Sequence, residues 1–149
     1  MTTYAVPFRV PAAIRARKVS AFNARAEVQW FGFSGCFSDP TDAVIHLRKR
    51  NAGAMGGGGT TALNGGLIAA GFDAAAVLAG LGHYDSDVIV TLDLSVRFIR
   101  LAQVDLASEF VARVVKSTRA IAFVEGVLRN GAQPTAPPFA TLTGMVGPI

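Results

Sequence analysis

The stretch from Asn64 to Ala76 combines two features that chemistry can use. It opens with the di-glycine Gly65-Gly66, continues as an almost wholly apolar run, and holds one carboxylate, Asp73. Glycine at the start of a helix lets another group approach the free backbone N–H groups, which favour a negatively charged oxygen. A carboxylate can act as a general base or as a nucleophile. The pair is suited to reactions in which negative charge develops on a carbonyl oxygen.

Asp73 is the charged residue that packing alone explains least well. Aspartate is a poor helix former and is rarely buried without a partner, yet Phe72, Ala74 and Ala75 are its neighbours in sequence. We interpret Asp73 as a functional carboxylate, and a structural ion pair to an arginine at an interface is the alternative. Asn64 also has a plain interpretation, as the N-cap of a loop-to-helix junction.

The surrounding elements predict one antiparallel sheet packed on one buried helix. Residues 66–79 are apolar on all sides except at Asp73, which is typical of a buried helix. Residues 88–100 alternate apolar and polar side chains, which is the period of a half-buried strand. An α+β domain follows, in which the sheet wraps around the helix. The other predicted elements are a helix over 11–24, strands over 27–37, 43–47, 106–116, 121–129 and 139–146, and a hairpin at Asn130-Gly131.

This order of motifs resembles the hotdog-fold acyl-CoA thioesterases, in particular their phenylacetate-degradation (PaaI-like) branch. The motif of that family is His-Gly-Gly followed by a helix with an acidic residue nine positions after the His. In this sequence Asn64 occupies the His position and Asp73 falls at that offset. Residues 90–100 are similar to the family's strand that ends in Phe-x-Arg-Pro, and residues 113–119 resemble its basic hairpin. The likeness covers about residues 27–146.

The resemblance implies the hotdog fold, an antiparallel β-sheet wrapped around a central α-helix. It implies a single domain over residues 1–149, with residues 1–26 as an N-terminal helical extension. It also implies hydrolysis of an acyl-CoA thioester, in which coenzyme A is part of the substrate and no further cofactor or metal ion is needed. In that scheme Asp73 activates water or attacks the thioester, and the backbone N–H of Gly65 or Gly66 holds the oxyanion.

Helix geometry adds a requirement on the number of subunits. Eight helical residues at about 1.5 Å each place Gly65 roughly 12 Å from Asp73 along the axis, and rotate the two by about 80°. One chain cannot bring both groups to the same carbonyl, so a site that uses both needs two chains. The resemblance implies such a dimer, with antiparallel central helices at its interface. The sequence leaves a homodimer and a homotetramer open.

The net charge of +4 favours a polyanionic ligand, although an ordinary solvated basic surface explains it equally well. Basic residues are spread along the chain apart from Arg48-Lys49-Arg50, and no zinc-finger or RRM-type signature accompanies them. Coenzyme A is therefore favoured over nucleic acid as the partner. The candidates for holding its phosphates, each with an alternative as a solvated charge, are Arg97, Arg100, Lys116 and Arg119.

Three departures from the family pattern bear on rate and substrate. Asn64 replaces the motif His but can still donate and accept hydrogen bonds, so it stays a candidate catalytic residue. Gly58 stands where the family often has an Asn, and Val77 stands where some relatives carry a hydroxyl. A hotdog protein that binds acyl-CoA without hydrolysing it is the first alternative. A dehydratase or hydratase ranks lower, because neither His46 nor His83 lies near the central helix motif.

Other features of the sequence bear on location and on further sites. No segment is long and apolar enough to span a membrane, and the N-terminal residues lack the core of a signal peptide, so we expect a cytoplasmic protein. Cys36, the only cysteine, is interpreted as a buried apolar residue. His83-Tyr84-Asp85 is interpreted as solvated loop rather than a metal site. The glycine run 56–59 lacks the Lys of a phosphate-binding loop and is interpreted as a mobile loop over a pocket.

Overall fold

The framework of the protein is a six-stranded antiparallel sheet around one long helix, in a computed structural model that describes residues 4–56 and 60–149. The helices are α1 (Ala12–Asn23), α2 (Ala26–Trp30) and α3 (Gly65–Leu81). The strands are β1 (Phe33–Ser38), β2 (Asp42–Leu47), β3 (Ile89–Phe98), β4 (Ser108–Ser117), β5 (Ala122–Asn130) and β6 (Ala140–Pro148). The sheet order is β1-β2-β4-β5-β6-β3. Most of the glycine run predicted to be a mobile loop, residues 57–59, lies outside the described residues.

The helix α3 is the centre of the core. The sheet curves around it, and small residues let the strands approach its backbone closely. A Cβ atom added at Gly71 would overlap the ring of Phe110, and one added at Gly80 would meet Ile89. The predicted α+β class, with a sheet wrapped around a central helix, is confirmed. Among the described residues, no helix is long and apolar enough to cross a membrane.

The strand β3 forms one edge of the sheet and contains a β-bulge. Within the described part of the chain it pairs only with β6, and the register shifts between Thr91 and Asp93. The bulge changes which side chains face the helix, because an extra residue reverses the alternation. Before the bulge Ile89 is buried, and after it Leu94 packs against the core. The single regular alternation predicted over residues 88–100 is therefore wrong at its start.

The helix α1 is joined to the C-terminal end of α3 by a buried lysine. Lys18 is 3% exposed, and its Nζ donates hydrogen bonds to the carbonyls of Leu81 at 3.0 Å, of Tyr84, and of Ser86 at 2.9 Å. These carbonyls lie at or just beyond a helix end, where partners within the helix are missing. Burial lowers the pKa of the Lys18 ammonium, while the three acceptors compensate for its lost hydration.

Two predictions near the N-terminal side of the sheet are wrong. Residues 26–30 form α2 instead of the first half of a strand, and β1 begins only after Gly32. The φ angle of Gly32 is 76°, a left-handed conformation that lets the chain turn sharply out of the helix. Cys36 is exposed rather than buried, because it lies on the outer face of β1, with its Sγ 3.7 Å from Nε2 of His46.

The connection between β5 and β6 is longer than the tight hairpin predicted at Asn130-Gly131. The strand β5 ends at Asn130 and β6 begins only at Ala140. Turns fill the segment between them, one of which is closed by a 3.0 Å hydrogen bond from the N–H of Ala132 to Oδ1 of Asn130. Prolines in this segment lack the N–H donor of a ladder residue, so pairing resumes only after Pro138.

Candidate active site

Asp73 lies midway along α3, opposite the first part of the edge strand β3. Its Oδ1 accepts a hydrogen bond from the hydroxyl of Thr91, and the carboxylate is half-buried. Within residues 4–56 and 60–149, no hydrogen bond reaches its Oδ2. Thr91 therefore fixes the orientation of the carboxylate through one oxygen and leaves the other oxygen available to a water molecule or a ligand.

A cavity of about 270 Å³ opens beside Asp73. Besides Asp73, the wall consists of aromatic rings, aliphatic side chains and two charged side chains, Arg25 and Glu27. The aromatic and aliphatic residues are Phe22, Val28, Phe31, Phe33, Ala70, Ala74, Val77 and Ile89. A mostly apolar cavity with one oriented carboxylate suits a ligand with an apolar body and a reactive polar group at its end.

The N-terminus of α3 opens into a second cleft, of about 470 Å³, which Gly65 lines together with Phe98 and Arg100. Of the two glycine donors predicted for an oxyanion, Gly66 is already engaged. Its N–H donates a 2.7 Å hydrogen bond to Oδ1 of Asn64. Among the described residues, no acceptor lies against the N–H of Gly65. The geometry therefore leaves Gly65 as the donor that a ligand can reach.

Asn64 is the N-cap of α3, as the plain interpretation of this residue predicted. Besides its bond to Gly66, its Nδ2 lies 3.5 Å from the carbonyl of Met55. Its backbone N–H donates to the carbonyl of Ala54 at 2.7 Å. Asn64 thus fixes both the start of the helix and the loop that precedes it, so it sets the direction in which the Gly65 N–H points.

Asp73 and Gly65 do not share a cleft in one chain. No residue that the structure describes lines both the cavity at Asp73 and the cleft at Gly65, and α3 runs unbroken between the two positions. Their neighbours on β3 show the same separation. Thr91, beside Asp73, is near the beginning of the strand, whereas Phe98, beside Gly65, ends it. One chain therefore does not bring Asp73 and Gly65 to the same cavity, as helix geometry predicted.

The four basic residues predicted to hold phosphates are exposed and lie in two separate places. Arg97 and Arg100 lie at the end of β3, and Arg100 lines the cleft at Gly65. Lys116 and Arg119 lie at the turn between β4 and β5, and Arg119 lines a different cleft, beside His83. Within one chain the four do not form a single phosphate site.

Neither histidine lines the cavity at Asp73 or the cleft at Gly65. His83 is buried at the end of α3, where burial, and then two nearby arginine guanidiniums, lower its pKa to about 4. His46 lies on the outer face of the sheet, with Nδ1 3.7 Å from Oε1 of Glu109. No group of three or more His, Cys, Asp or Glu within the described residues could hold a metal ion.

Sequence reasoning missed Thr91. A strictly alternating strand places Thr91 with Asp93 on a polar face, away from the helix. The bulge between these two residues reverses the alternation, so Thr91 faces α3 together with Ile89. A threonine near the start of the strand that follows the helix is a weak signal, because the hydrogen bond depends on a register that a linear pattern does not show.

The comparison with known protein families decides the relationship. The family described as the thioesterase superfamily matches residues 61–136, which is more than half of the 149-residue chain. The chain belongs to the thioesterase superfamily. The matched range of this superfamily member includes Gly65, Asp73 and Thr91. No curated protein sequence matches it significantly.

Solved structures of thioesterase-type proteins share the fold of this superfamily member. The E. coli PaaI protein from the phenylacetic acid degradation operon has a TM-score of 0.76 at 16% identity, covering 93% of this chain and 95% of that one. Zebra fish thioesterase superfamily member 2 has a TM-score of 0.69 at 18% identity, covering 87% and 91%. A thioesterase family protein from Silicibacter pomeroyi has a TM-score of 0.73 at 19% identity, covering 89% and 96%. These structures confirm the predicted hotdog fold, and the superfamily match confirms the predicted resemblance to thioesterases.

Proposed function

We propose that this superfamily member is an acyl-CoA thioesterase of the PaaI-like kind, active in the cytoplasm as a homodimer or homotetramer. The observation that carries the proposal is Asp73, a carboxylate oriented by Thr91 at the wall of an otherwise mostly apolar cavity. That arrangement suits a thioester whose acyl chain fills the cavity and whose carbonyl lies at the carboxylate. Coenzyme A is part of the substrate, so the reaction needs no separate cofactor.

In the proposed reaction Asp73 acts through the carboxylate oxygen that Thr91 leaves available. It removes a proton from a water molecule as the water oxygen adds to the thioester carbonyl. The alternative is direct attack by the carboxylate, followed by hydrolysis of the resulting anhydride. In either case the carbon–sulfur bond breaks, and the leaving CoA sulfur takes up a proton. The products are a carboxylic acid and free coenzyme A.

In our proposal the developing oxyanion is stabilised by the backbone N–H of Gly65. The Gly65 N–H lies at the positive end of the α3 dipole, where a backbone donor stabilises negative charge. Because Gly65 opens into another cleft, the donor in our proposal comes from a second subunit. Asn64 contributes by capping the start of α3. It occupies the position of the family's motif His, but in our proposal it does not take over the chemical role of that His.

The edge strand β3 is the surface through which we propose that the subunits pair. It has one neighbour in the sheet and carries exposed apolar side chains, including Leu92 at 52% and Phe98 at 59%. An exposed edge with such side chains is a template for another strand. Antiparallel pairing about a two-fold axis near the middle of β3 would place the Gly65 end of one chain beside Asp73 of the other.

The same pairing gives the four predicted basic residues a common location. Arg97 and Arg100 lie at the end of β3, whereas Lys116 and Arg119 lie at the turn near its beginning. Two-fold pairing would bring the end of one β3 to the beginning of the other. We propose that the phosphates of CoA bind where these two pairs meet, which accounts for their separation in one chain.

A thiol-release assay over a panel of acyl-CoA substrates tests the proposal, with Asp73→Asn as the matched control. We expect release of free CoA from at least one apolar acyl-CoA, and loss of that release in the variant. Calorimetry on the same substrates separates the alternative. Saturable binding without thiol release would identify an acyl-CoA-binding hotdog protein, and the absence of both would overturn the assignment.

A further inference from the structure

A groove on the surface of the protein combines an exposed indole with cationic and amide side chains. It lies between α2 and the segment that follows β2 and has a volume of about 320 Å³. The residues that line it are Gln29, Trp30, Gly32, Lys49, Arg50 and Asn51. None of them lines the cavity at Asp73 or the cleft at Gly65. The groove includes Lys49 and Arg50 of Arg48-Lys49-Arg50, the only run of three consecutive basic residues in the sequence, which the proposed function does not use.

Trp30 is the unusual member of this groove. It is the only tryptophan of the chain and is 67% exposed. One edge is supported by Phe31, with the ring centroids 4.9 Å apart and the planes at 84°. A large aromatic ring left in water beside cationic groups is not explained by packing, and it offers a face on which a planar ligand can stack.

Hydrogen bonds to two backbone carbonyls shape the groove before any ligand binds. The carbonyl of Gly32 accepts from the N–H groups of Arg48 at 2.8 Å and Lys49 at 3.2 Å. The side chain of Asn51 donates to the carbonyl of Trp30 at 3.0 Å. The cationic segment is thereby held along α2, so a ligand would not have to organise this wall of the groove.

The charges of the groove are not neutralised by the protein. Arg48, Lys49 and Arg50 are exposed, and within the described residues none of them forms an ion pair. Two adjacent cations and a stacking face match a molecule that carries phosphate groups next to a planar base. The amide side chain of Gln29, in the same groove, can reach the polar edge of such a base.

We propose that this groove binds a phosphorylated nucleotide, with the base stacked on Trp30 and the phosphates at Lys49 and Arg50. Two sources carry this chemistry, the nucleotide end of coenzyme A and a free nucleotide. Phe31, which touches Trp30, also lines the cavity at Asp73, so the groove and the cavity adjoin. Binding of the CoA nucleotide rests on the proposed thioesterase function. In that case the groove, and not the four basic residues assigned above, would hold the phosphates of CoA. Binding of a free nucleotide does not depend on the thioesterase function.

The single tryptophan provides a direct measurement of binding, without any hydrolysis. We expect adenosine 3′,5′-bisphosphate to quench Trp30 fluorescence saturably, and Lys49→Gln and Arg50→Gln each to weaken its binding about tenfold at moderate salt. Arg17→Gln is the matched control, because it removes the same charge from an exposed residue on α1. Calorimetry checks the affinity independently and also measures the variants that lack the tryptophan. In calorimetry Trp30→Ala should weaken binding about tenfold, whereas Trp30→Phe should weaken it less because it keeps a stacking ring.

A second arm identifies the source of the nucleotide. If the groove holds the nucleotide of CoA, Trp30→Ala lowers kcat/KM for an acyl-CoA about tenfold relative to kcat/KM for the same acyl group on N-acetylcysteamine. If quenching by free nucleotides depends on Lys49 and Arg50 while that ratio stays at the wild-type value, the groove binds a free nucleotide. Absence of saturable quenching, or quenching that Arg17→Gln weakens as much as the groove variants, would overturn the proposal. A chain that binds the bisphosphate but hydrolyses no thioester would refute only the proposed function.

Discussion

At the scale of single residues, the hydrogen bond between Thr91 and Asp73 decides what the central carboxylate can do. A half-buried aspartate without a donor would turn toward water. The Thr91 hydroxyl instead holds Oδ1 at the cavity and leaves Oδ2 available. The sequence alone showed that Asp73 is a carboxylate on an otherwise apolar helix. Its hydroxyl partner was not predictable, because the β-bulge that turns Thr91 toward the helix depends on strand register.

Replacing Asp73 by Asn tests the role of the carboxylate. The carboxamide keeps the size of the side chain but can neither accept a proton nor attack a thioester. We expect the variant to fold normally, with kcat reduced by about 10²–10⁴-fold. Circular dichroism monitors the fold, and thiol release on the best substrate gives kcat. A variant with the wild-type kcat would assign Asp73 a purely structural role.

Replacing Thr91 by Val tests orientation separately from charge. The variant keeps the β-branched shape and loses the hydroxyl, so Asp73 remains charged but less well fixed. We expect kcat to fall about tenfold, as for the loss of one hydrogen bond to a charged group, with little change in KM. Thr91→Ser should restore most of the rate, and Ser95→Ala, an exposed hydroxyl loss on the same strand, is the control. Equal losses in Thr91→Ser and Thr91→Val would contradict an orienting hydroxyl.

Replacing Asn64 by His restores the motif residue of the family at the N-cap of α3. The imidazole can still accept a hydrogen bond from the Gly66 N–H and offers an additional donor beside the cleft. We expect the variant to fold and kcat to rise. Steady-state kinetics over the acyl-CoA panel measures the change, and Asn64→Ala, which removes the cap alone, is the control. If the His variant is much slower on every thioester, Asn64 has a role of its own that the family position does not describe.

At the scale of elements, α3 and the longer strands β3 to β6 were predictable in outline, because their apolar or alternating patterns extend over many residues. An apolar run over residues 66–79 favours a buried helix, and in this fold the sheet buries it. The short helix α2 was not predictable, because its five residues contain β-branched and aromatic side chains that favour a strand, and only the turn at Gly32 makes a helix compatible with the start of β1. The same limit applies to the segment between β5 and β6, where Asn130-Gly131 favours a hairpin but the prolines delay pairing.

The C-terminal end of α3 makes the stability of the protein depend on pH through His83. Its folded pKa of about 4 lies below the ordinary histidine value of 6.5, because burial, Arg9 and Arg15 disfavour the charged imidazolium, and both ring nitrogens lack hydrogen-bond partners within the described residues. The unfolded chain therefore binds more protons between pH 6.5 and pH 4. Stability is fully present above pH 6.5 and declines as the pH falls toward 4, by on the order of 3 kcal/mol.

Urea unfolding of His83→Leu at several pH values checks this dependence. The leucine cannot be protonated, so the free energy of unfolding should change much less between pH 6.5 and pH 4 than in the wild type. His46→Gln, a change on the outer face of the sheet, should retain most of the wild-type slope. An unchanged slope in His83→Leu would assign the acid sensitivity to other groups.

At the scale of the whole molecule, the important feature is that Asp73 and Gly65, the two groups proposed to act on one thioester, line different cavities of the same chain. The cavity at Asp73 and the cleft at Gly65 are separated along α3, and β3, which passes both, has a free edge with exposed apolar side chains. The sequence predicted this separation from helix geometry alone. It could not predict which strand would be the edge, because the pairing order is set by contacts between residues far apart in the chain.

Two inactive variants should together regain activity if each site draws on two chains. Gly65→Leu fills the oxyanion cleft, where an added Cβ atom meets only the Phe98 ring at an ordinary 3.5 Å, so the variant should fold. Asp73→Asn removes the carboxylate, and each variant alone should be nearly inactive. After mixing and subunit exchange about half of the dimers are mixed, and each of these has one site with both defects and one with neither, so about a quarter of the wild-type activity should return.

Native mass spectrometry verifies the exchange, and mixing two differently tagged Asp73→Asn samples is the control. Folded, exchanged chains that stay inactive would mean that Gly65 and Asp73 do not act on the same thioester, since no other pairing of the two variants can assemble an intact site.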